Sequence, residues 1–460
     1  CKCDKNFINI KRIIMNSKEA EKDDLFVAIR GGNKFAGEAL ENGAYAVYDD
    51  KELQIEEKFK GKAFYVKDSV EFLQEFAEKW RKNLNLKVIG ITGSNGKTTV
   101  KDMIYHLLSV KYKGKKTEGN YNNHIGLPFT LLRAEKGDDF IILEMGMSGF
   151  GEIDLLGKIS SPDISVITNI GESHLEFLKT KKNVFKAKTE IIPHTKETLV
   201  INGDDEYLKN IDENSLKEKG LKTVKILNMG NDKNYMENIE KSVESNNDFY
   251  YGNIDFNEVE TKFTLEYFDE NCKKWTHKFY NTNVLGEHNI LNLTIAVSVA
   301  KEMALGDEEI EKAVKDIVLT NMRFQIITKG KTTYINDAYN ASPMSMKKSL
   351  ETFSKIYNDR EKIAVIGDML ELGEQEGELH ASIFDVIVNI NLNKLYLYGP
   401  RMRFLYDRIR ENSENENIRK IETEYFESKE QIKEKLEGIK EEKVVLIKAS
   451  RGMKLEEVME

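Results

Sequence analysis

Cysteine is nearly missing from this chain, with only Cys1, Cys3 and Cys272 among 460 residues. Three so unevenly spaced thiols form neither a disulfide framework nor a zinc site, so a reducing cytoplasm is the expected home. No apolar run approaches the roughly 20 residues of a membrane-spanning helix. The first thirty residues also lack the apolar core of a secretory signal, and no membrane insertion is expected. A cationic excess is absent as well: 69 Lys and Arg against 78 Asp and Glu give a formal charge of -9. That excludes a general nucleic-acid binder but leaves room for a local basic phosphate site. With 40% hydrophobic and 32% charged residues, the chain is neither collagenous nor disordered. No repeat recurs at a fixed period. The chain opens on Cys1 without an initiator methionine, so a start further upstream is expected. Nothing in the pattern marks an oligomer, and a monomer is expected.

What is present is alternation of strand and helix, enough for about three domains at roughly 150 residues each. Residues 1–85 read as a small α/β unit, with strands in DLFVAIRGG and AYAVYDD around a helical EALENG. A helix with Leu73, Phe76, Ala77 and Trp80 on one face, and Asp68 and Glu71 as a capping pair, closes it. Residues 86–318 carry the buried runs LKVIGI, FIILEMG, ISVITNIG and TLVINGDD, which suit a parallel sheet covered on both faces. Between about 205 and 285 the pattern changes to alternation at Phe263, Leu265 and Tyr267, then Trp275, His277 and Phe279. This predicts an antiparallel hairpin turning at DENCK, a peripheral addition to the sheet. A helix from about 289 to 304 returns to the core, and TNMRFQ reads as a linker. In residues 319–460, TTYIND, KIAVIGDM, KLYLYG and VVLIKAS alternate with helices, one starting at Pro343 and one running through Ile383. The pattern predicts a second, Rossmann-like parallel sheet, making the whole a three-domain α/β protein.

A further absence marks the most informative motif. In ITGSNGKTTV, from Ile91 to Val100, the common GxxxxGK[ST] pattern needs a glycine where Ile91 stands. The turn from buried strand to helix still leaves free N–H groups at the helix start, where the dipole favours anions. Gly93, Ser94, Asn95 and Gly96 then form a phosphate cradle, Lys97 reaches the outer phosphates, and Thr98, followed by Thr99, offers a hydroxyl to Mg²⁺. The short spacing points away from common P-loop kinases and motor ATPases. Glu144 ends the strand FIILE at its carboxyl edge, a suitable place for a magnesium ligand. His174 in ITNIGESHLE and Lys188 in VFKAKTE, taken singly, read equally well as a helix cap and a local pair with Glu190.

Read together, these residues resemble the Mur ligase family, the ATP-dependent amide ligases of peptidoglycan precursor synthesis, whose loop has the TGxNGKT form. The resemblance covers nearly the whole chain. TEGNYNNHIGLPFTLL, INDAYNASPMSM and IGDMLELG are similar to the branch that adds D-alanyl-D-alanine to UDP-N-acetylmuramoyl tripeptide. DAYNASP replaces the Asp-Asn-Pro motif of the branch that adds the third amino acid.

The resemblance implies ATP and two Mg²⁺ as cofactors, with the tripeptide nucleotide and D-Ala-D-Ala as small-molecule substrates. It assigns the UDP-sugar to the first domain, ATP to the central one and the dipeptide to the last. By the same resemblance Lys97 and Thr98 hold the β and γ phosphates and the first magnesium, which Glu144 completes. His174 ligates the second, and Lys188 is carbamylated. Asn289 reads adenine, although a helix-capping asparagine has the same look. Arg323 reaches the γ-phosphate from the C-terminal domain, although a solvated linker charge looks alike, and Met322 stands where glycine is usual. Asp337 lies near the ribose. Asn120, Asn122 and Asn123 face the sugar nucleotide, and Asn340 in DAYNASP faces substrate. Asn16-Ser17-Lys18 replaces the family's Asp-Ser-Arg, placing Ser17 at the uridine site while Lys18 lacks the planar fork of arginine. Ser450 and Arg451, after the last strand, are candidates for the dipeptide carboxylate, and Asp368 and His380 are further candidates. Closure of the domains on substrate is expected. Two other readings stay open: a folylpolyglutamate synthase-like ligase, and a P-loop ATPase switch acting on a protein partner.

Overall fold

The computed structural model describes residues 9–230, 247–269 and 272–460. Cys1, Cys3 and two residues of the DENCK turn, 270 and 271, lie outside the described residues. The described residues build three sheets. The first contains β1 (Ile13–Ile14), β2 (Leu25–Val27), β3 (Tyr45–Tyr48) and β4 (Ala63–Tyr65), parallel and in chain order. Phe26 and Ala46 from its strands pack against Ala39 and Leu40 of the helix Ala36–Glu41.

The helix Ser69–Arg81 does not simply close this unit. Asp68 caps it, accepting from the N–H groups of Val70 and Glu71 at 2.7 and 2.9 Å, but no reciprocal bond from the Glu71 side chain forms among the described residues. Leu73 packs on Leu25, Val27 and Val47, whereas Ala77 joins Val88, Ile141 and Leu156 in the core of the second sheet. The helix therefore belongs to both units. Its last residue, Arg81, is buried, donating to Ser160 O at 2.9 Å and to Asp163 at 2.8 Å. Asp163 also accepts the Val88 N–H at 2.7 Å. Asp163→Ala would strand the guanidinium without a counter-charge, and a loss of about 3–5 kcal/mol is expected. Urea denaturation checks it, as a lower midpoint at unchanged slope.

The second sheet has nine strands. They are β5 (Lys87–Thr92), β6 (Gly114–Lys116), β7 (Phe140–Glu144), β8 (Ile164–Ile167), β9 (Thr198–Asn202), β10 (Lys222–Gly230), β11 (Phe249–Phe256), β12 (Thr261–Asp269) and β13 (Lys274–Thr282). Their order is β13-β12-β11-β10-β9-β8-β5-β7-β6, parallel except that β12 is antiparallel to both its neighbours. The predicted hairpin is thus β12–β13, added at the edge of the sheet as expected. Phe263, Leu265 and Tyr267 enter the main core, while the outer strand leaves Phe279 exposed. Because β5 lies between β7 and β8, the strand order reverses there, and a crevice opens at the carboxyl ends of these strands.

The helix Lys97–Leu108 starts at that crevice. Its predicted apolar face, Val100, Ile104, Leu107 and Leu108, is buried, and so are Lys101, Asp102 and Met103. The helix Glu287–Glu302 packs alongside it on the same face of the sheet, itself lying on β9, β10 and β11, so most of the Lys97–Leu108 surface is enclosed.

The third sheet contains β14 (Gln325–Lys329), β15 (Thr332–Asn336), β16 (Glu361–Gly367), β17 (Lys394–Tyr398), β18 (Glu422–Phe426) and β19 (Lys443–Lys448). Its order is β14-β15-β19-β16-β17-β18, and β14 is antiparallel to β15, so the predicted parallel sheet carries one antiparallel edge. The helix predicted at Pro343 runs Pro343–Lys355 with Ser342 as its cap. The one predicted through Ile383 is broken into Glu376–Ala381 and Phe384–Ile387.

Candidate active site

The carboxyl ends of β5, β7 and β8 face those of β15 and β19 across a cleft of about 1020 Å³. Residues predicted from the sequence meet there: Ser94, Asn95, Gly96, Lys97, Thr98, Thr99, Asn120, Asn122, Asn123, Glu144, His174, Asn289, Arg323, Asp337, Asn340, Ser450 and Arg451 all line it. Gly93 and Lys188 lie behind the wall. Ser17 stays in the first domain, its hydroxyl bonded to Glu38.

Backbone geometry demands both glycines of the loop. Gly93 has φ +147°, and an added Cβ would fall 1.9 Å from Thr168 Oγ1. Gly96 has φ +82°, with a Cβ 2.8 Å from Asn292 Oδ1. The loop is fastened to the end of β8, since Ser94 N–H donates to Asn169 O at 2.9 Å and Asn95 N–H to Asn169 Oδ1 at 3.0 Å. Lys97 Nζ folds back onto Gly93 O at 2.8 Å. Burial lowers the pKa of this amine, against the opposing charge of Glu144 and with the help of Arg323. An anion in the cradle would relieve that cost by supplying the missing counter-charge.

Glu144 has three polar neighbours. Thr98 Oγ1 donates to it at 3.0 Å, Asn122 Nδ2 at 3.1 Å, and Lys101 Nζ lies 3.6 Å away, between Glu144 and Asp102. Among the described residues no cluster of three or more His, Cys, Asp or Glu makes a ready-built metal cage. One carboxylate and one hydroxyl instead suit Mg²⁺, which keeps its waters and leans on phosphates.

His174 has φ +55° and heads the short helix Leu175–Leu178, yet its side chain caps nothing. Its Nδ1 lies 3.0 Å from Glu371 Oε2 without the alignment of a hydrogen bond. Lys188 is 1% exposed and pairs with no acid among the described residues. Glu190 accepts instead from the N–H groups of Gly151 and Asp154, so the local-pair reading fails. Burial first, then the charge of Lys97, push the Lys188 amine well below its ordinary pKa. An enclosed amine whose neutral form burial favours is chemically fit to add carbon dioxide.

From the third domain, the Arg323 guanidinium stacks 4.1 Å above the Tyr339 ring with Nε unpartnered, which is not a solvated linker charge. Asp337 accepts from Lys448 Nζ at 2.6 Å and Ser349 Oγ at 2.8 Å. Asn289 is no cap: Gly286 takes that position, and Asn289 Nδ2 donates to Leu285 O at 2.9 Å from inside the first turn. Asn123 and Asn340 do serve as turn residues, accepting from Gly126 N–H and Ala341 N–H at 2.9 Å each. Arg451 is ion-paired with Glu456. Asp368 and His380 are corrections: neither lines the cleft. Asp368 accepts the N–H groups of Arg401 and Met402, and His380 Nε2 accepts that of Met369, so both brace the loop after β16.

The third domain touches the phosphate loop directly, Ser342 Oγ donating to Asn95 Oδ1 at 2.8 Å. Thr320, in the linker, bonds Asp102 of the loop's helix. Sequence reasoning missed Lys101, Glu371 and His288. Lys101 had a readable signal, since it sits four residues after Lys97 on the same helix face.

His288 lines the cleft with Nδ1 unpartnered, and burial pushes its pKa from 6.5 down to about 4. The folded state therefore binds this proton less readily than the unfolded chain. Its stabilisation is complete above pH 6.5 and is lost as pH falls towards about 4. His288→Gln should flatten the acid limb of the stability curve by on the order of 2 kcal/mol, read from urea midpoints across that window.

Comparison with known proteins agrees with the cleft. Residues 91–300 match the Mur ligase middle domain, and residues 322–451 match the domain described as Mur ligase, glutamate ligase domain. The UDP-N-acetylmuramoyl-tripeptide--D-alanyl-D-alanine ligase of Bacillus subtilis is 33% identical over 98% of this chain and 92% of its own length. The crystal structure of MurF ligase from Thermotoga maritima in complex with ADP is 29% identical, with a TM-score of 0.80 over 99% of this chain and 97% of that one. MurF from Acinetobacter baumannii is 25% identical, with a TM-score of 0.81 over 98% of this chain and 92% of that one.

Proposed function

The chain belongs to the Mur ligase family, and we propose on that premise that it joins D-alanyl-D-alanine to UDP-N-acetylmuramoyl tripeptide, converting ATP to ADP and phosphate. The reaction belongs to peptidoglycan precursor synthesis in the cytoplasm. The observation that carries the proposal is the convergence, in one cleft, of the loop and Glu144 from the central domain with Arg323 and Asp337 from the third. Residues 1–85 would hold the UDP-sugar, 86–318 ATP and 319–460 the dipeptide, with Ser17 at the uridine end and Asn120, Asn122, Asn123 and Asn340 towards the sugar and peptide.

A carboxylate is a poor acyl donor because attack must break its resonance and expel an oxide. In the proposed reaction the tripeptide carboxylate attacks the γ-phosphorus, forming an acyl phosphate and releasing ADP. The dipeptide amine then attacks the acyl carbon and phosphate leaves. Gly93 to Thr99 cradle the phosphates, while Lys97 and Arg323 offset charge gathered between two anions. Asn289 and Asp337 position adenine and ribose, and Ser450 and Arg451 take the dipeptide carboxylate. Mg²⁺ would sit against Thr98 and Glu144, and a second ion against His174 and a carbamylated Lys188, supplying Lewis-acid neutralisation of the phosphates.

Folylpolyglutamate synthase gives no reason for DAYNASPMSM together with GDMLELG, and a protein-directed ATPase switch would need no carboxylate substrate. Phosphate release by the purified protein should require ATP, the tripeptide nucleotide and D-Ala-D-Ala together. Release that ignored omission of both acyl substrate and dipeptide would refute the proposal.

A further inference from the structure

The loop that follows β16 is held at three consecutive residues. Asp368 accepts the N–H groups of Arg401 and Met402 at 3.1 and 3.0 Å. Met369 N–H donates to His380 Nε2, and Leu370 N–H to Ser450 Oγ, each at 2.9 Å. The next residue, Glu371, therefore leaves a braced loop, and it does so at φ +64°, a conformation that costs a residue bearing a Cβ. The loop closes on the central domain: a Cβ on Gly373 would lie 2.8 Å from Glu176 Cα. Glu371 is thereby fixed where the two domains meet.

Its side chain is 59% exposed, in the cleft, with the carboxylate beside His174 at 3.0 Å. Two acids of the third domain line the cleft, Glu371 and Asp337. Asp337 already has Lys448 at 2.6 Å. Glu371 has, among the described residues, only the imidazole of His174, and it lies close enough to Lys97 for each charge to act on the other. It is thus the third-domain anion in the cleft that has no Lys or Arg partner among the described residues.

A free dipeptide is a zwitterion. Lys97, Arg323 and Arg451 provide for phosphates and carboxylates, but the ammonium of the acceptor needs an anion close to the acyl carbon. We propose that Glu371 is the contact for the α-ammonium of the incoming dipeptide, with Ser450, bonded to the same loop through Leu370, at its carboxylate end. The inference rests on the ligase reading above. Glu371 binds the ammonium by charge-assisted hydrogen bonds; the ammonium gives up one proton to solvent, and the free amine's lone pair is then directed at the acyl carbon beside Lys97, a second proton leaving nitrogen as the C–N bond forms and phosphate departs.

Glu371→Gln keeps the shape and removes the charge. The expected result is a KM for D-Ala-D-Ala raised about 10-fold or more. Acyl phosphate formed without dipeptide and trapped by hydroxylamine should persist, with little change in the KM for ATP. N-propionyl-D-alanine, the same dipeptide without its amine, should compete far less well than D-Ala-D-Ala binds in the wild type, and that gap should close in Glu371→Gln. Glu371→Asp should restore part of it. An unchanged dipeptide KM, or a preserved preference for the amine, overturns the inference. Parallel loss of acyl phosphate also overturns it, leaving Glu371 as a support for His174. Failure of the ligase reading is distinct, because wild type would then trap no acyl phosphate at all.

Discussion

Lys97→Ala is expected to lower ligation by at least about 10³-fold, since removal of a single preorganised donor to a developing anion already costs about 10²–10³. The position of the amine explains why the effect should be this large. It is folded onto Gly93 O at 2.8 Å, inside the loop proposed to wrap the phosphates, and its pKa is lowered chiefly by burial. Nothing else in the loop carries a positive charge. Without it the tripeptide carboxylate must approach an uncompensated γ-phosphate. The loss should therefore appear in the first chemical step, as missing hydroxylamine-trapped acyl phosphate. Stability should hold or rise, because truncation removes a partly desolvated ammonium and leaves the Gly93 and Gly96 backbone untouched. Lys97→Arg should not restore activity, as the planar fork does not fit a cradle shaped around a point charge. Acyl phosphate at wild-type levels in Lys97→Ala would remove Lys97 from the mechanism.

The loop was legible because its physics is local. Gly93 and Gly96 are forced by φ and by Thr168 and Asn292, but the need for two glycines before a Lys-Thr helix start is already present in ten consecutive residues. Strands buried on both faces were equally readable from continuous apolar runs, which locate β5, β7, β8 and β9. What stayed hidden depends on contacts between distant segments. The antiparallel edge β14 is a hairpin partner of β15 through a turn at Gly330, φ +59°, and alternation of strand with helix conceals a strand that precedes no helix. Helical periodicity gave Ser69–Arg81 one apolar face, but two sheets share it, and Arg81 pairs with Asp163 beyond any local pattern. His174 and Lys188 read singly as a cap and a surface pair. Only the fold takes their usual partners away. Asp368 and His380 erred in the other direction, since polar residues beside a motif can brace it without entering the site.

Lys188→Ala should cost about 10²–10³-fold in turnover, comparable to losing an electrostatic group of the site. The reasoning begins with a lysine 1% exposed and unpaired by any acid among the described residues. Its amine is driven towards neutrality by burial and by Lys97. As an ammonium it would repel both Lys97 and magnesium. As a carbamate it would present hard anionic oxygens suited to Mg²⁺ and would turn repulsion from Lys97 into attraction. Carbamate formation needs no oxidant: the neutral nitrogen adds to carbon dioxide, and one proton leaves for solvent. Two measurements follow that a packing role would not move. Exhaustive removal of carbon dioxide and bicarbonate should reversibly depress wild-type ligation, and a short carboxylic acid such as acetate should restore part of the activity of Lys188→Ala by occupying the vacated volume. Lys188→Arg keeps a cation but cannot be carbamylated in this way, so it should be as impaired as the alanine variant. Full activity in Lys188→Arg, or indifference of the wild type to carbon dioxide, would return Lys188 to a structural role and leave His174 without its partner at the proposed second magnesium.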